Sequence, residues 1–235
     1  SFFVIYQGEN GGELNYYDNV VPFSGSLDIS NGRQEDVYDI NIVSCEKSLI
    51  SRNDGNGETR IFDGEIIMSL DICGYRNEDV SLLTDIYAPG YEITPKTEKL
   101  EYERLVENKV VDIDINERIK NEDGGKIIYT CGDVIVDEII QKDNKVDIEG
   151  TISVQIMMED KEAMPPITVS HHDIPFSYQA GMDKYEKDSE LCGKVNNISL
   201  YSKRISDKEI SVNGTIKMEI MAKSTPTTPV VINAD

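Results

Sequence analysis

Apolar and polar residues alternate along several stretches of this chain, most regularly around Gly150. From residue 146 to residue 158 every even position is apolar or glycine, and the odd positions are polar as far as Gln155. Residues 209–220 alternate in the same way around Gly214. A period of two over this length is typical of a β-strand with one buried face and one solvent-exposed face. The pattern therefore predicts two long strands whose even-numbered side chains form a core.

A six-residue motif built around a glycine occurs three times, at residues 61–66, 147–152 and 211–216. The three glycines are Gly64, Gly150 and Gly214, and an isoleucine stands two positions after each of them. Internal repeats of this kind indicate a duplicated structural unit. We therefore expect each copy to be a strand of a duplicated antiparallel β module.

A second motif accompanies the first, at Pro22-Phe23 and again at Pro175-Phe176. Counted from proline to glycine, the next glycine motif follows after 42 residues in the first case and 39 in the second. The two motifs therefore recur together as one unit. By this alignment the glycine expected upstream of Pro22 falls just before Ser1, so we expect the sequence to begin in mid-strand, without the upstream strand of its first hairpin.

The glycines and the Pro-Phe pairs are interpreted as structural signature residues that fit together. A glycine on an apolar strand face leaves a gap that an aromatic ring can fill. We therefore expect Phe23 and Phe176 to lie over strand glycines, with Phe176 over Gly150 or Gly214. The alternative is that the Pro-Phe pairs are exposed docking residues.

These patterns predict an all-β fold of tandem antiparallel β-sandwich-like modules built from repeated hairpins. Residues 1–124 are expected to form the first module and residues 125–224 the second, with the boundary at the acidic, glycine-rich run 122–125. Residues 37–50 alternate only in part, which favours a strand covered on both faces. Residues 225–235 are expected to begin a flexible linker, because the run 224–229 is polar and contains two prolines.

The chain is strongly acidic, with 44 Asp and Glu against 23 Lys and Arg and a formal net charge of −21. Nucleic acids and anionic membranes require a basic surface, so neither is expected as a partner, whereas a basic protein is permitted. Acidic residues are expected to coat the outward strand faces and keep the protein soluble. No apolar run is long enough to cross a bilayer.

No arrangement typical of catalysis, metal binding or cofactor binding stands out, so no enzymatic activity and no cofactor are predicted. The tandem pair His171-His172 points to opposite faces if it lies on a strand, which disfavours one shared metal ion. The acidic run from Asp112 begins like a calcium loop but has Glu117 where the turn needs glycine.

Four separated cysteines are interpreted as isolated buried thiols in a reducing compartment, with disulfides as the alternative: Cys45, Cys73, Cys131 and Cys192.

The alternating strand around Gly150, followed by Ile174-Pro175-Phe176-Ser177, resembles the SPOCS domain family of spore-coat-associated repeats, over roughly residues 1–222. The resemblance implies a non-enzymatic scaffold in the mother-cell cytosol at the forespore surface. It implies other coat proteins as partners, and the coat basement ATPase SpoIVA, mainly through a LysM domain that is not present in this sequence. Self-association is a further expectation, and the family supplies no catalytic residue.

A second function class stays open. The same alternation is expected in a ligand-binding or glycan-binding β-sandwich region of an exported surface protein. The absence of tryptophan disfavours this alternative, because such sites often use tryptophan for stacking. The oxidation state of the cysteines distinguishes the two functions, since disulfides favour the exported protein and free thiols favour the cytosolic scaffold.

Overall fold

The computed structural model describes residues 2–7, 14–34, 36–76, 78–121, 125–162, 164, 166–184, 186 and 189–234. These residues contain β-strands and no helix, and the predicted all-β class is confirmed. Every strand pairing is antiparallel. The strands are β1 (Phe2–Gln7), β2 (Leu14–Asn19), β3 (Val37–Asn53), β4 (Thr59–Tyr75), β5 (Pro95–Glu101), β6 (Arg104–Lys120), β7 (Lys126–Lys142), β8 (Lys145–Glu159), β9 (Ile167–Gly181), β10 (Glu190–Ser206), β11 (Glu209–Ser224) and β12 (Thr227–Ala234).

The chain divides into two compact units. The hairpin unit is Pro22–Leu82, and the sandwich unit is Ser1–Val21 together with Leu83–Asp235. This division differs from the expected boundary after residue 124, because β6 lies before that boundary and pairs along its length with β11, which lies after it. Residues 122–124 themselves lie outside the described residues.

The sandwich unit contains two three-stranded sheets, ordered β7-β8-β9 and β10-β11-β6, and a glycine-motif strand is at the centre of each. Their inward side chains form a single core cluster, so the two sheets pack face to face. The even-numbered positions predicted to face inward are the buried ones. Those with no exposed surface are Val146, Ile148, Ile152, Val154, Ile156 and Met158 on β8, and Ile210, Val212, Ile216, Met218, Ile220 and Ala222 on β11.

Two further glycines let the sheets of the sandwich unit approach each other at one side. A Cβ built on Gly132 of β7 would lie 2.8 Å from Leu200 Cδ1 of β10, and one built on Gly193 of β10 would lie 2.5 Å from Ile139 Cδ1 of β7. Any larger side chain at either position would displace the branched residue that covers it. Small residues here therefore set how closely β7 and β10 pack.

The structure corrects the prediction made for residues 225–235. They were expected to begin a flexible linker, but Thr227–Ala234 forms β12, which pairs with β5 in a two-stranded sheet. Pro229 lies opposite Lys99. Proline lacks an amide hydrogen and is tolerated on edge strands, and both strands of a two-stranded sheet are edges. The β-branched residues that follow Pro229 then favour extended backbone.

The hairpin unit is built on β3 and β4, which pair over their full length as a two-stranded sheet. In the turn between them, Asp54 N donates to Glu58 O at 2.7 Å, and Gly57 has a positive φ of 82°. The expectation that residues 37–50 are covered on both faces is wrong. Ile40 and Ile42 are 57% and 61% exposed, because no second sheet packs on them in the described part of this unit.

Candidate interaction surface

Phe176 lies over Gly150, which confirms one of the two placements predicted for this ring. The two residues are directly opposite each other in the β8–β9 ladder. A Cβ built on Gly150 would lie 2.6 Å from Phe176 Cε1 and 2.5 Å from Ile135 O, so the space above the glycine is filled by the ring and by backbone. Pro175 is tolerated beside it because β9 is the edge strand of its sheet.

Gly214 accommodates an aliphatic side chain in place of a ring. It lies opposite Leu200 on β10 and Ile115 on β6. A Cβ built on Gly214 would lie 2.8 Å from Leu200 Cδ2. The two glycine strands of the sandwich unit therefore share one arrangement, in which a large apolar side chain of a neighbouring strand packs against the glycine.

The prediction that Phe23 lies over a strand glycine is wrong. Phe23 is 74% exposed, Pro22 beside it is exposed as well, and neither belongs to a strand. Within the hairpin unit the residue opposite Gly64 is Leu49. Residues 20–29 form no ladder in the described structure, so no neighbouring strand presents a glycine to this ring.

An aromatic ring does lie over a glycine in the hairpin unit, at a pair that the sequence motifs did not mark. Tyr38 is directly opposite Gly74, and a Cβ built on Gly74 would lie 3.0 Å from Tyr38 Cε1. Both residues lie in long strands without the Pro-Phe motif. In the sequence these two residues are a tyrosine near the start of one strand and a glycine near the end of the next. That they face each other can be recognised only once the register of the hairpin is known.

The face of the hairpin that carries Gly64 is largely apolar and exposed, with Lys47 opposite Ile66. Aligned on their glycines, β4, β8 and β11 each place an isoleucine two residues later. Ile152 and Ile216 are fully buried, whereas Ile66 is 36% exposed. We call this surface the glycine face; its exposed large apolar residues are Ile40, Ile42 and Leu49 on β3 and Phe62, Ile66 and Leu70 on β4.

No strand of the described structure pairs with the β4 edge that lies away from β3. In the sandwich unit β8 and β11 are each paired on both sides, but β4 pairs only with β3 among the described residues. An unpaired strand edge presents a row of amide hydrogens and carbonyl oxygens that can extend the sheet. The other face of β4, its outward face, carries Asp63, Glu65 and Asp71 beside the exposed Ile61 and Ile67.

One end of the hairpin is covered by the segment that precedes β3. Arg76 donates from Nε to Asp36 Oδ1 at 2.7 Å and from Nη2 to Asp36 Oδ2 at 2.8 Å, and Nη2 also donates to Asn31 O at 2.9 Å. The bonds from Arg76 to Asp36, and then the bond from Arg33 N to Asp36 Oδ2, hold the pKa of Asp36 well below its ordinary value. The segment Leu27–Gly32 and the hairpin end enclose an open groove of about 640 Å³, lined also by Tyr38 and Tyr75.

The residues considered for metal binding do not converge. Asp112 and Asp114 lie on β6, opposite Lys217 and Thr215. His171 and His172 are consecutive residues of β9 and point to opposite faces. Throughout the described part of the chain, no three His, Cys, Asp or Glu side chains are grouped so that they could hold a metal ion.

All four cysteines are free thiols. Cys45 and Cys73 of the hairpin unit are exposed, so the expectation that the thiols are buried is wrong for these two. Cys131 and Cys192 of the sandwich unit are half-buried. Burial, and then the charge of Asp133, raise the pKa of Cys131.

The described residues contain no helix that is long and apolar enough to cross a membrane. Comparisons of the chain with protein-family models, with curated proteins and with solved structures found no match.

Proposed function

We propose that this chain is a non-enzymatic scaffold of the spore coat, which mediates protein–protein contacts at the forespore surface during sporulation. Its sequence resembles the SPOCS region of the coat morphogenetic protein SipL, through the glycine strand and the Pro-Phe motif. In this proposal the chain acts in the mother-cell cytosol. The observation that supports an interaction role independently of the resemblance is the exposed glycine face of the hairpin unit.

The size of the glycine face is what makes it an interaction candidate. Its six large side chains leave on the order of 500 Å² of apolar surface in water. The largest apolar patch of a typical soluble monomer is about 300–600 Å² and is often functional. Two such surfaces pressed together would bury about 1,000 Å², which is near the lower limit for a specific interface. A protein contact is therefore the use that this face supports best.

The proposed partners are other coat proteins and further copies of this chain. Contact with the basement ATPase SpoIVA is proposed to depend mainly on a LysM domain. The net charge of −21 disfavours nucleic acids and anionic membranes as partners and favours proteins with basic surfaces.

One observation favours the second candidate, a ligand-binding or glycan-binding β-sandwich of an exported protein. The groove beside Tyr38 and Tyr75 has aromatic walls, and Arg76 lies at its edge. Aromatic rings beside a charged group are a common arrangement in small-ligand sites. Titration with a panel of soluble glycans, read from the NMR signals of the two tyrosine rings, tests this alternative directly.

The scaffold proposal is tested with two adjacent isoleucines on opposite faces of β4. Ile66 belongs to the glycine face and Ile67, which is 55% exposed, belongs to the other. The chain and its Ile66→Asp and Ile67→Asp variants are compared by light scattering after size exclusion, by capture of coat proteins from sporulating mother-cell extract, and by forespore localisation of a fluorescent fusion. We expect Ile66→Asp to lose assembly and Ile67→Asp to keep it. Equal behaviour of all three proteins, with no oligomer, capture or localisation, contradicts the proposal.

A further inference from the structure

We propose that β4 accepts a third antiparallel strand from a protein partner, and that this strand has alternating apolar residues with a large apolar residue opposite Gly64. The inference deepens the proposed function, on which it rests, by naming the kind of segment that the hairpin binds. Addition of an extended segment to a sheet edge is an established mode of peptide recognition.

The sandwich unit supplies the template. Each of its glycine strands is paired on both sides, and the third strand places a large apolar residue opposite the glycine: Phe176 of β9 opposite Gly150, and Ile115 of β6 opposite Gly214. In each sheet the third strand pairs with one edge of the glycine strand, and the hairpin partner, β7 or β10, pairs with the other edge. The same sequence motif therefore specifies, twice, a central strand that requires a partner on each side.

The third copy of the motif has only one of these two partners. Along β4 the positions that match the buried face of β8 and β11 are Phe62, Ile66, Met68, Leu70 and Ile72. In the hairpin ladder Leu49 lies opposite Gly64, as Leu200 lies opposite Gly214. The edge beyond β4 is unpaired in the described structure. The side-chain pattern of β4 is thus that of a central strand, whereas in the described structure β4 is an edge strand.

Charge specifies the incoming strand further. In the sandwich unit the third strand β6 places Asp112 opposite Lys217 and Lys120 opposite Glu209. Cross-strand pairs of opposite charge stabilise a sheet, and like charges directly opposite destabilise it. The outward face of β4 presents Glu65 and Asp71. The partner strand is therefore expected to carry Lys or Arg opposite these two carboxylates.

A probe peptide follows from the register of the template. The peptide has the sequence of β9, Ile167–Gly181, which transfers to β4 so that Phe176 lies opposite Gly64. In this register Pro175 lies opposite Glu65 and Val169 opposite Asp71, so the probe carries Pro175→Lys and Val169→Lys. A matched acidic peptide carries Glu at the same two positions.

The binding experiment uses the full chain and the fluorescently labelled peptide, followed by anisotropy. We expect saturable one-to-one binding to the unmodified chain, and about tenfold weaker binding of the acidic peptide. Gly64→Val places a branched side chain opposite Phe176 of the probe and is expected to weaken binding about tenfold, whereas Ser69→Val on the other face of β4 leaves it unchanged. Valine suits a strand, so both variants are expected to fold.

Backbone methylation tests the strand pairing itself. In an antiparallel ladder the amide hydrogens of alternate residues point to the same neighbour. Two versions of the probe are therefore made, N-methylated on odd or on even residues across its central part. We expect one version to lose binding and the other to keep it. Equal loss in both versions, or binding that Gly64→Val does not affect, overturns the inference.

The failures of the two proposals are distinguishable. If the chain assembles or captures coat proteins through the glycine face but the probe does not bind, the scaffold proposal stands and strand addition is wrong. If the probe binds as described but no assembly, capture or localisation occurs, strand addition stands and the scaffold proposal is wrong. A homodimer that the probe does not displace also overturns strand addition.

Discussion

Three copies of one sequence motif reach two different environments in this protein. Around Gly150 and Gly214 the alternating apolar residues are fully buried between two three-stranded sheets, whereas around Gly64 the matching residues remain partly exposed. The strands themselves are alike in length and alternation. The difference shows that alternation specifies a strand and its two faces, and that burial additionally requires a third strand and an opposing sheet.

The largest expected effect compares the isoleucine that follows each glycine. Ile152→Ala and Ile216→Ala empty space in a closed core, and each is expected to lower the free energy of unfolding by about 3 kcal/mol. Ile66→Ala removes a side chain that is already partly in water, so a loss below about 1 kcal/mol is expected. Urea unfolding with peptide-resolved hydrogen exchange measures each loss in its own strand. A loss at Ile66 equal to the other two would mean that the glycine face is covered in solution.

A smaller effect is expected from filling the space above Gly150. The added methyl group of Gly150→Ala would meet Phe176 and the carbonyl oxygen of Ile135, and a loss of about 2 kcal/mol is expected. Adding Phe176→Leu should recover part of that loss, because a smaller side chain can move aside, while the backbone contact remains. Gly25→Ala is the control, since a Cβ at Gly25 meets nothing within 4 Å. Equal stability of the Gly150→Ala and Gly25→Ala variants would contradict the placement of the Phe176 ring over Gly150.

Acid is expected to weaken the hairpin unit through Asp36. Its pKa in the folded protein is lowered, chiefly by the bonds from Arg76 and then by Arg33 N, so the carboxylate stabilises the fold above the unfolded pKa of about 3.9. That contribution is lost progressively as the pH falls from about 4 toward the lowered value. Urea unfolding of the hairpin unit between pH 5 and pH 2.5 measures it. Asp36→Asn should remove this part of the pH dependence, and an unchanged profile in that variant would assign the effect to other carboxylates.

The smallest expected effect is a difference in thiol reactivity. Cys45 and Cys73 are exposed, whereas Cys131 is half-buried and has a raised pKa. Because the thiolate is the reactive form, iodoacetamide at pH 8 should label the first two faster than Cys131. Mass spectrometry of quenched time points gives each rate, with the urea-unfolded chain as the reference in which all four react alike. Disulfides in the native protein would instead favour the exported alternative.

Much of the fold is visible in the sequence. The hairpin β7–β8, the hairpin β10–β11 and strand β6 follow from alternation and turn residues, and the turn before Glu58 follows from its Asp-Gly and Asn-Gly pairs. The Gly150–Phe176 contact could be predicted because the two motifs recur together. The exposed position of Phe23 could not, since the same Pro-Phe pair lies inside a ladder in one case and outside any strand in the other.

The candidate site was predictable only in its parts. Gly64 and the apolar residues around it stand out in the sequence, but nothing local distinguishes them from the matching residues around Gly214. The Tyr38–Gly74 contact and the bonds from Arg76 to Asp36 join residues that are far apart in the chain, and they depend on the register of the hairpin. Strand β12 was missed because Pro226 before it and Pro229 within it are typical of a linker, and its pairing with β5 is visible only in the structure.

By itself, the sequence determined the strands, their inward faces, the acidic surface and the places where a glycine leaves room for a neighbouring side chain. These depend on residues two positions apart and on the geometry of extended backbone, which short segments carry. Only the tertiary structure decided which copies of the motif are buried, because burial depends on strand partners distant in sequence. It paired β6 with β11 and β9 with β8, and it left β4 with one neighbour among the described residues.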